Sequence, residues 1–166
     1  MQRIGFLLLP GLGLSSLAGA LESLSAVNLL LDAPAYEPLL LSVVGGGVAA
    51  SSGATLLTLP MSQVPALDAV FVVSERPWAT DDPLAPVVLP WLQQQAERGI
   101  WMAGMGSGAA WLAEAGLLKG QRCTVDWSAI AALAERHEDV LVSQQLYEIE
   151  PQRLSCAGQQ ASVDMV

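Results

Sequence analysis

Short apolar runs alternate along this chain with segments in which apolar residues recur at helical spacing. The runs Arg3–Leu9 and Ala69–Val73 are almost continuously apolar, which is typical of strands buried on both faces of a parallel sheet. Between them, Leu17–Leu31 shows the spacing of a helix, with Ser15 or Ser16 placed to cap its start. The pattern therefore predicts a strand–helix–strand order from the first residues onward.

The remaining segments extend the same alternation. The pattern predicts further strands at Glu37–Val44, Ile100–Gly104, Arg122–Val125, Val140–Val142, Leu146–Glu150 and Arg153–Ala157, a turn at Gly45-Gly46-Gly47 followed by a hairpin-like excursion at Val48–Thr58, a loop at Ser74–Pro86, and helices at Val87–Arg98, Ser107–Ala115 and Ser128–Arg136. This order indicates an α/β fold, a doubly wound, mostly parallel sheet with helices on both faces. Ligands of such sheets bind beyond the carboxyl ends of the strands.

The stretch Ile100–Ala110 carries the strongest functional signal. It predicts a buried strand that turns through small residues into a helix, which is the elbow where many α/β hydrolases place a nucleophile. The residue at the apex is Gly106, which has no side chain to attack with. Ser107 is the nearest hydroxyl, but it lacks the Gly-x-Ser-x-Gly spacing of a hydrolase, and a helix N-cap is the favoured interpretation.

Composition narrows the functional classes. The 166 residues favour one domain, and 52% hydrophobic against 14% charged residues predicts a large core. A net charge of -9 with only 7 Lys+Arg leaves no basic surface for nucleic acid and electrostatically favours a cationic small ligand. Cys123 and Cys156 are far apart and suggest neither a metal site nor a disulfide framework. No apolar run is long enough to span a bilayer, so the expectation is a cytoplasmic protein without membrane contact.

Several polar residues leave two interpretations open. Asp126 is either a ligand carboxylate or the cap of the helix that begins near Ser128. Glu75 and Trp78 follow a predicted strand and either hold a cation or face solvent. His137, the sole histidine, lies at a charged helix end and is favoured as a surface or capping residue rather than a base.

The last residues open a helix that the end of the sequence interrupts. Apolar Val163, Met165 and Val166 in Gln159–Val166 fit either a helix cut within two turns or a short terminal helix.

The order of several short motifs resembles the N-terminal domain of a subgroup of AraC-type transcription regulators, which belongs to the ThiJ/PfpI-like (class I glutamine amidotransferase-like) superfamily. No single motif carries the resemblance, which covers nearly all of the chain. The matching segments are Ile4–Gly11, Leu17–Glu22, Ser51-Ser52-Gly53, Trp91-Leu92 with Ala96 and Gly99, Ala113–Gly120, Cys123–Trp127, Cys156-Ala157-Gly158 and Val163–Val166.

The resemblance implies a flavodoxin-like domain, usually dimeric, that senses a small metabolite. It further implies a helix-turn-helix DNA-binding domain on the C-terminal side, for which this chain has no residues. Residues 1–166 are therefore expected to be a sensor and dimerisation domain from a truncated regulator, with DNA bound only through the absent domain.

The resemblance also allows each catalytic position to be tested. Enzymes of the superfamily use an elbow cysteine, an acid near the start of the first helix and often a histidine in a His-Trp pair. These positions map here to Gly106, Ser16 and Asp126, so all three depart from the catalytic pattern. Glu22 fills a slot that is usually Glu in the family, and is either exposed or a pocket contact. Trp111 and Trp127 are interpreted as core aromatics, although Trp127 lies beside a pocket-facing position of the family.

The favoured hypothesis is a non-catalytic sensor and dimerisation domain without metal or cofactor. Its effector is expected to be an amino acid or a quaternary amine, bound over an elbow that the loss of a side chain has opened. The expected ligand-binding residues are Ser16, Glu22, Glu75, Met105, Gly106, Ser107, Asp126 and Trp127. The alternatives are a stand-alone enzyme of the superfamily (hydrolase, hydratase or glyoxalase-like) and an architectural dimer domain with a vestigial, filled pocket.

Overall fold

The computed structural model, which describes residues 1–166, centres on an eight-stranded sheet. The strands are β1 (Gln2–Leu8), β2 (Tyr36–Ser42), β3 (Gly46–Ala49), β4 (Thr55–Pro60), β5 (Ala69–Ser74), β6 (Trp101–Gly106), β7 (Arg122–Cys123), β8 (Leu141–Val142), β9 (Tyr147–Glu150) and β10 (Arg153–Cys156). The helices are α1 (Leu14–Leu30), α2 (Ala85–Glu97), α3 (Gly108–Glu114), α4 (Ile130–Arg136) and α5 (Ala161–Met165).

The strand order in the sheet is β3-β4-β2-β1-β5-β6-β10-β9. All neighbours from β4 to β10 are parallel, and the antiparallel pairs β3–β4 and β9–β10 lie at the two edges. The short strands β7 and β8 pair with each other outside this sheet. The predicted doubly wound, mostly parallel sheet is confirmed.

Apolar side chains fill both faces of the sheet. On one face, Val70, Val72 and Met102 pack against α2 and α3. On the other, Phe6 and Phe71 pack against α1 and α5, with their ring centroids 5.1 Å apart. Burial on both faces explains why the central strands have continuous apolar sequences.

The strand order reverses at β1, which lies between β2 and β5. Connections that leave β1 and β5 in opposite directions open a crevice at the carboxyl ends of these two strands. The backbone N–H of Leu9 donates to the carbonyl of Val73 (3.1 Å), so the loops that follow the two strands start side by side.

Several predicted boundaries differ from the structure: Gly46 and Gly47 of the predicted turn belong to β3, and two helices start elsewhere than expected. The N-cap of α1 is Gly13, and Ser15 and Ser16 lie within the first turn, so the predicted serine cap is wrong. Helix α2 starts at Ala85, inside the predicted loop, because Pro86 lies in its first turn, where a missing N–H costs nothing.

Two further features are absent from the described residues. No helix is both long and apolar enough to cross a membrane. No three His, Cys, Asp or Glu side chains lie close enough together to hold a metal ion.

Candidate functional site

The predicted elbow is confirmed, with Gly106 at its apex. Gly106 ends β6 with φ +61°, a left-handed conformation that favours glycine, and α3 begins two residues later. The N–H of Ser107 donates to the carbonyl of Ser74 (2.7 Å), which ties the turn to the end of β5. Ser107 is the N-cap residue, as favoured from the sequence, although its hydroxyl makes no capping hydrogen bond.

The space above the apex is filled by the carboxylate of Glu75. A Cβ placed on Gly106 would lie 3.0 Å from Glu75 Oε1, and one on Gly158 would lie 3.1 Å from the same atom. A Cβ on Gly13, at the start of α1, would collide with this carboxylate. The expectation that Gly106 leaves the elbow open is therefore wrong, because a side chain from the loop after β5 occupies that space.

Ser16 holds this carboxylate in place. Its hydroxyl donates to Glu75 Oε1 (2.8 Å) and accepts from the backbone N–H of Gln159 (2.6 Å), and Ser16 is fully buried. One hydroxyl thus joins α1, the loop after β5 and the turn before α5. The carboxylate nearest to Ser16, at the position where the resemblance implies an acid, is that of Glu75.

The Glu75 carboxyl group is electrostatically unfavourable in its charged form. Burial raises its pKa, the hydrogen bond from Ser16 opposes that rise, and the nearby charge of Asp126 adds to it. Glu75 is therefore poised to gain from a positive charge placed beside it.

The raised pKa predicts a pH-dependent effect of Glu75→Gln on stability. The Glu75 carboxyl group binds its proton more tightly in the folded chain than in the unfolded chain. Its contribution to the free energy of unfolding therefore falls as the pH rises from the ordinary pKa of 4.5 through the raised value. We expect Glu75→Gln to match the unsubstituted chain near about pH 4 and to be the more stable of the two near about pH 8, as measured by urea unfolding. Glu22→Gln, which removes an equal charge from an exposed position, is the control. A Glu75→Gln difference that does not grow with pH would contradict the prediction.

Asp126 caps a helix and also borders the elbow. Its Oδ1 accepts hydrogen bonds from the N–H (3.0 Å) and hydroxyl (2.5 Å) of Ser128 at the start of a 3₁₀ turn that leads into α4. Its own N–H donates to the carbonyl of Gly106 (3.3 Å). The capping interpretation is confirmed, and Asp126 also adds a second negative charge near Glu75.

Cys156 is a neighbour of the elbow that the sequence did not reveal. It pairs with Met105 in the sheet register and is fully buried. Burial raises the pKa of its thiol to about 11; the backbone N–H groups of Gly158 and Gly106 lower it, and the charge of Glu75 raises it. Burial likewise raises the pKa of Cys123, to about 12. Both thiols are thus protonated at neutral pH, which disfavours nucleophilic attack.

The other predicted site residues lie apart from this centre. Met105 is fully buried in the core on the α1 side, and Glu22 is exposed on α1. Trp127 is 79% exposed, so the core interpretation is wrong for it, whereas Trp111 is 2% exposed and does belong to the core. His137 is the C-cap residue of α4, as one of the two interpretations had it, and its Nε2 lies 3.1 Å from Glu114 Oε1.

The comparisons with known proteins agree with this geometry. No family model matches the chain. The HTH-type transcriptional regulator CdhR of Pseudomonas aeruginosa is 36% identical over 169 residues, which cover 99% of this chain and 48% of that protein. The chain spans about half the length of the curated regulators it matches, between 45% and 51%.

Solved structures show the same fold. An AraC family transcriptional regulator from Pseudomonas putida superposes with a TM-score of 0.89 at 24% identity, covering 99% of this chain and 88% of that one. A ThiJ/PfpI family protein from Pseudomonas syringae superposes with a TM-score of 0.79 at 22% identity, covering 99% of this chain and 65% of that one. The chain therefore has the flavodoxin-like fold of these two structures. Over 99% or more of its length the chain is thus similar to about half of several curated HTH-type transcriptional regulators, at 33% to 36% identity.

Proposed function

We propose that this chain is the non-catalytic, small-molecule-sensing and dimerisation domain of an AraC-type transcriptional regulator. The observation that carries the proposal is the replacement of the nucleophile by Gly106, with the carboxylate of Glu75 in the space above it. A carboxylate in that place offers charge recognition where the resemblance would put a thiol nucleophile. In the complete regulator, which acts in the cytoplasm, a separate helix-turn-helix domain contacts DNA, and a homodimer presents two such domains.

The charge at the elbow favours a positively charged effector, an amino acid or a quaternary amine. Glu75 and Asp126 provide negative charge at the carboxyl edge of the sheet, and the chain carries a net charge of -9. A cation beside Glu75 offsets the cost of keeping that carboxylate charged while it is partly buried. Ser16 and Ser107 complete the proposed site as polar neighbours of the apex.

Calorimetric titration of the chain with amines and amino acids tests the sensor role. We expect at least one compound to bind, and Glu75→Gln to weaken binding of that compound by about tenfold, the effect of losing one charge-assisted contact. Glu22→Gln is the matched control. Absence of binding across the whole panel would overturn the sensor role, and turnover of ester or α-oxoaldehyde substrates would overturn the non-catalytic assignment.

The filled elbow also favours a second candidate function, an architectural dimer domain without an effector. In that case the hydrogen bonds of Ser16 to Glu75 and Gln159 serve only to fasten three segments together. Both functions predict a dimer in sedimentation analysis, and the calorimetric panel separates them, because an architectural domain binds none of its members.

A further inference from the structure

The hairpin of β3 and β4 belongs to the longest uncharged segment of the chain. No Asp, Glu, Lys, Arg or His occurs among the 30 residues from Pro38 to Leu67, although the whole chain has 16 acidic and 7 basic residues. The hairpin forms one edge of the sheet, where charged side chains commonly protect a strand against contact with other molecules. This edge has no charged side chains of its own.

Three exposed apolar side chains project from this hairpin and from the turn before it. Val44 is 85% exposed, Leu57 is 81% exposed and Leu59 is 48% exposed. Leu57 and Leu59 alternate along β4 with half-buried residues, so they share the outward face of the strand, where polar residues are usual. We call Val44, Leu57 and Leu59 the hairpin surface. Neighbouring apolar side chains that are exposed in this way mark sites of interaction.

An apolar pocket adjoins the hairpin surface. Its volume is about 180 Å³, and all of the residues that line it are uncharged, among them Leu8, Val44, Gly47 and Leu84. Gly47 is the cross-strand partner of Leu57, so the pocket and the protruding leucine lie side by side on the hairpin. A surface with both a protrusion and a cavity can bind a second copy of itself, because a two-fold axis places each protrusion opposite the cavity of the partner.

Hydrogen bonds hold the hairpin against the loop that follows β1. The N–H of Gly11 donates to the carbonyl of Ala49 (2.9 Å), and the N–H of Ser51 donates to the carbonyl of Leu12 (3.0 Å). The hairpin is thus fixed at its closed end before any partner binds. A preformed surface loses little conformational entropy on association.

Other exposed apolar side chains of the chain have acidic neighbours. At the opposite edge of the sheet, Ile149 of β9 is exposed between Glu148 and Glu150. At the end of α1, the exposed Leu29 is followed closely by Asp32. Because each chain has a net charge of -9, two copies repel each other unless they meet where acidic side chains are absent. Of these surfaces, only the hairpin surface belongs to an uncharged segment.

We propose that the hairpin surface is the contact between two copies of this chain, with Leu57 of each protomer against the pocket of its partner. The inference rests on the proposed dimerisation role and assigns it to the β3–β4 edge of the sheet. A stable interface buries about 800 Å² on each partner, about a tenth of the 8201 Å² surface of this chain. The uncharged segment comprises 30 of the 166 residues, so a contact of this size needs few residues outside it.

Sedimentation equilibrium of the chain and of two leucine variants tests the inference. Leu57→Glu places a charge in the proposed contact, whereas Leu29→Glu makes the same change at an equally exposed leucine of α1 (83% against 81%). We expect Leu57→Glu to raise the dimer dissociation constant at least about tenfold, because a carboxylate would be buried without a partner, and Leu29→Glu to change it less than about twofold. Circular dichroism checks that both variants retain the fold.

The salt dependence of the unsubstituted dimer gives a second test that needs no variant. The proposed contact has no ion pairs to lose, and added salt screens the repulsion between two chains of charge -9. We therefore expect the dimer dissociation constant to fall when sodium chloride is raised from about 50 mM to about 500 mM. A dissociation constant that rises with salt would indicate a contact made by ion pairs and would overturn the hairpin surface.

The remaining outcomes separate this inference from the proposed function. A dimer that responds equally to Leu57→Glu and Leu29→Glu, or more strongly to Leu29→Glu, would overturn the hairpin surface and leave dimerisation standing. A trimer or a larger assembly would overturn the two-fold contact. A monomer at every concentration tested would overturn both the contact and the dimerisation role, whereas the sensor role depends on the calorimetric panel alone.

Discussion

Gly108→Ala is expected to lower the free energy of unfolding by about 3 kcal/mol, the upper part of the range for forcing extra atoms into a packed interior. A Cβ on Gly108 would overlap the carbonyl oxygen of Val72 and would lie 2.8 Å from its carbonyl carbon. Both obstructing atoms belong to the backbone of β5, which cannot rotate away as a side chain can. Urea unfolding followed by circular dichroism measures the loss.

Gly116→Ala is the matched control for this substitution. Gly116 has φ +75°, and a Cβ there would meet no atom within 4 Å, so the control carries only the cost of the left-handed conformation, about 1 kcal/mol. If Gly108→Ala lowers the free energy of unfolding no more than Gly116→Ala does, the close contact between Gly108 and the backbone of β5 is contradicted.

Gly106→Cys is expected to place a thiol at the elbow that reacts only slowly. A Cβ at position 106 would lie 2.5 Å from the carbonyl oxygen of Ser74 and 3.0 Å from Glu75 Oε1. The neighbouring negative charge raises the pKa of the new thiol and opposes the influence of the α3 N-terminus. Adding Glu75→Gln removes that charge, and we expect alkylation of Cys at position 106 to become about tenfold faster, the effect of about one pKa unit.

Alkylation by iodoacetamide at neutral pH, read site by site by mass spectrometry, measures this difference. Cys123 and Cys156 are the internal controls, because their raised thiol pKa values of about 12 and about 11 and complete burial keep them unreactive in the folded chain. Labelling of these two residues would reveal an unfolded variant. Equal rates at position 106 with and without Glu75→Gln would mean that Glu75 does not control the apex.

The sequence predicts the sheet and the elbow well because both depend on local composition. The continuous apolar runs of β1 and β5 have few structural solutions other than strands buried on both faces. The small residues from Gly104 to Gly108 allow a sharp turn, and Gly106 adopts the positive φ that such a turn requires.

The centre of the site could not be predicted because its contacts are distant in sequence. Glu75 meets Ser16 across 59 positions, and Ser16 meets Gln159 across 143. The serine at position 16 is visible in the sequence, but the carboxylate that another segment places beside it is not. Glu75 itself was expected at the site, because a charged residue directly after a fully buried strand lies at the edge where ligands bind, but its partners were not.

Tertiary contacts explain why Ser16 is not the predicted helix cap and why Trp127 is not the predicted core residue. Ser16 does not cap α1 because its hydroxyl is already used as donor and acceptor in the core of the site. Trp127 points out of the core because Asp126 caps the turn that follows and directs the chain along the surface. Local propensity identifies residues suited to capping or burial, and long-range contacts decide which of them take those roles.

The absence of a side chain at Gly108 makes the junction between β5 and α3 stiff. The backbone of α3 at Gly108 lies directly against the backbone of β5 at Val72, and packed interiors have low compressibility and transmit strain. A displacement of the loop that continues from β5 is consequently passed to the first turn of α3 instead of being absorbed by a rotating side chain. The last residue of this helix, Glu114, is in turn paired with Arg136 of α4, so α3 is tied to its neighbours at both ends.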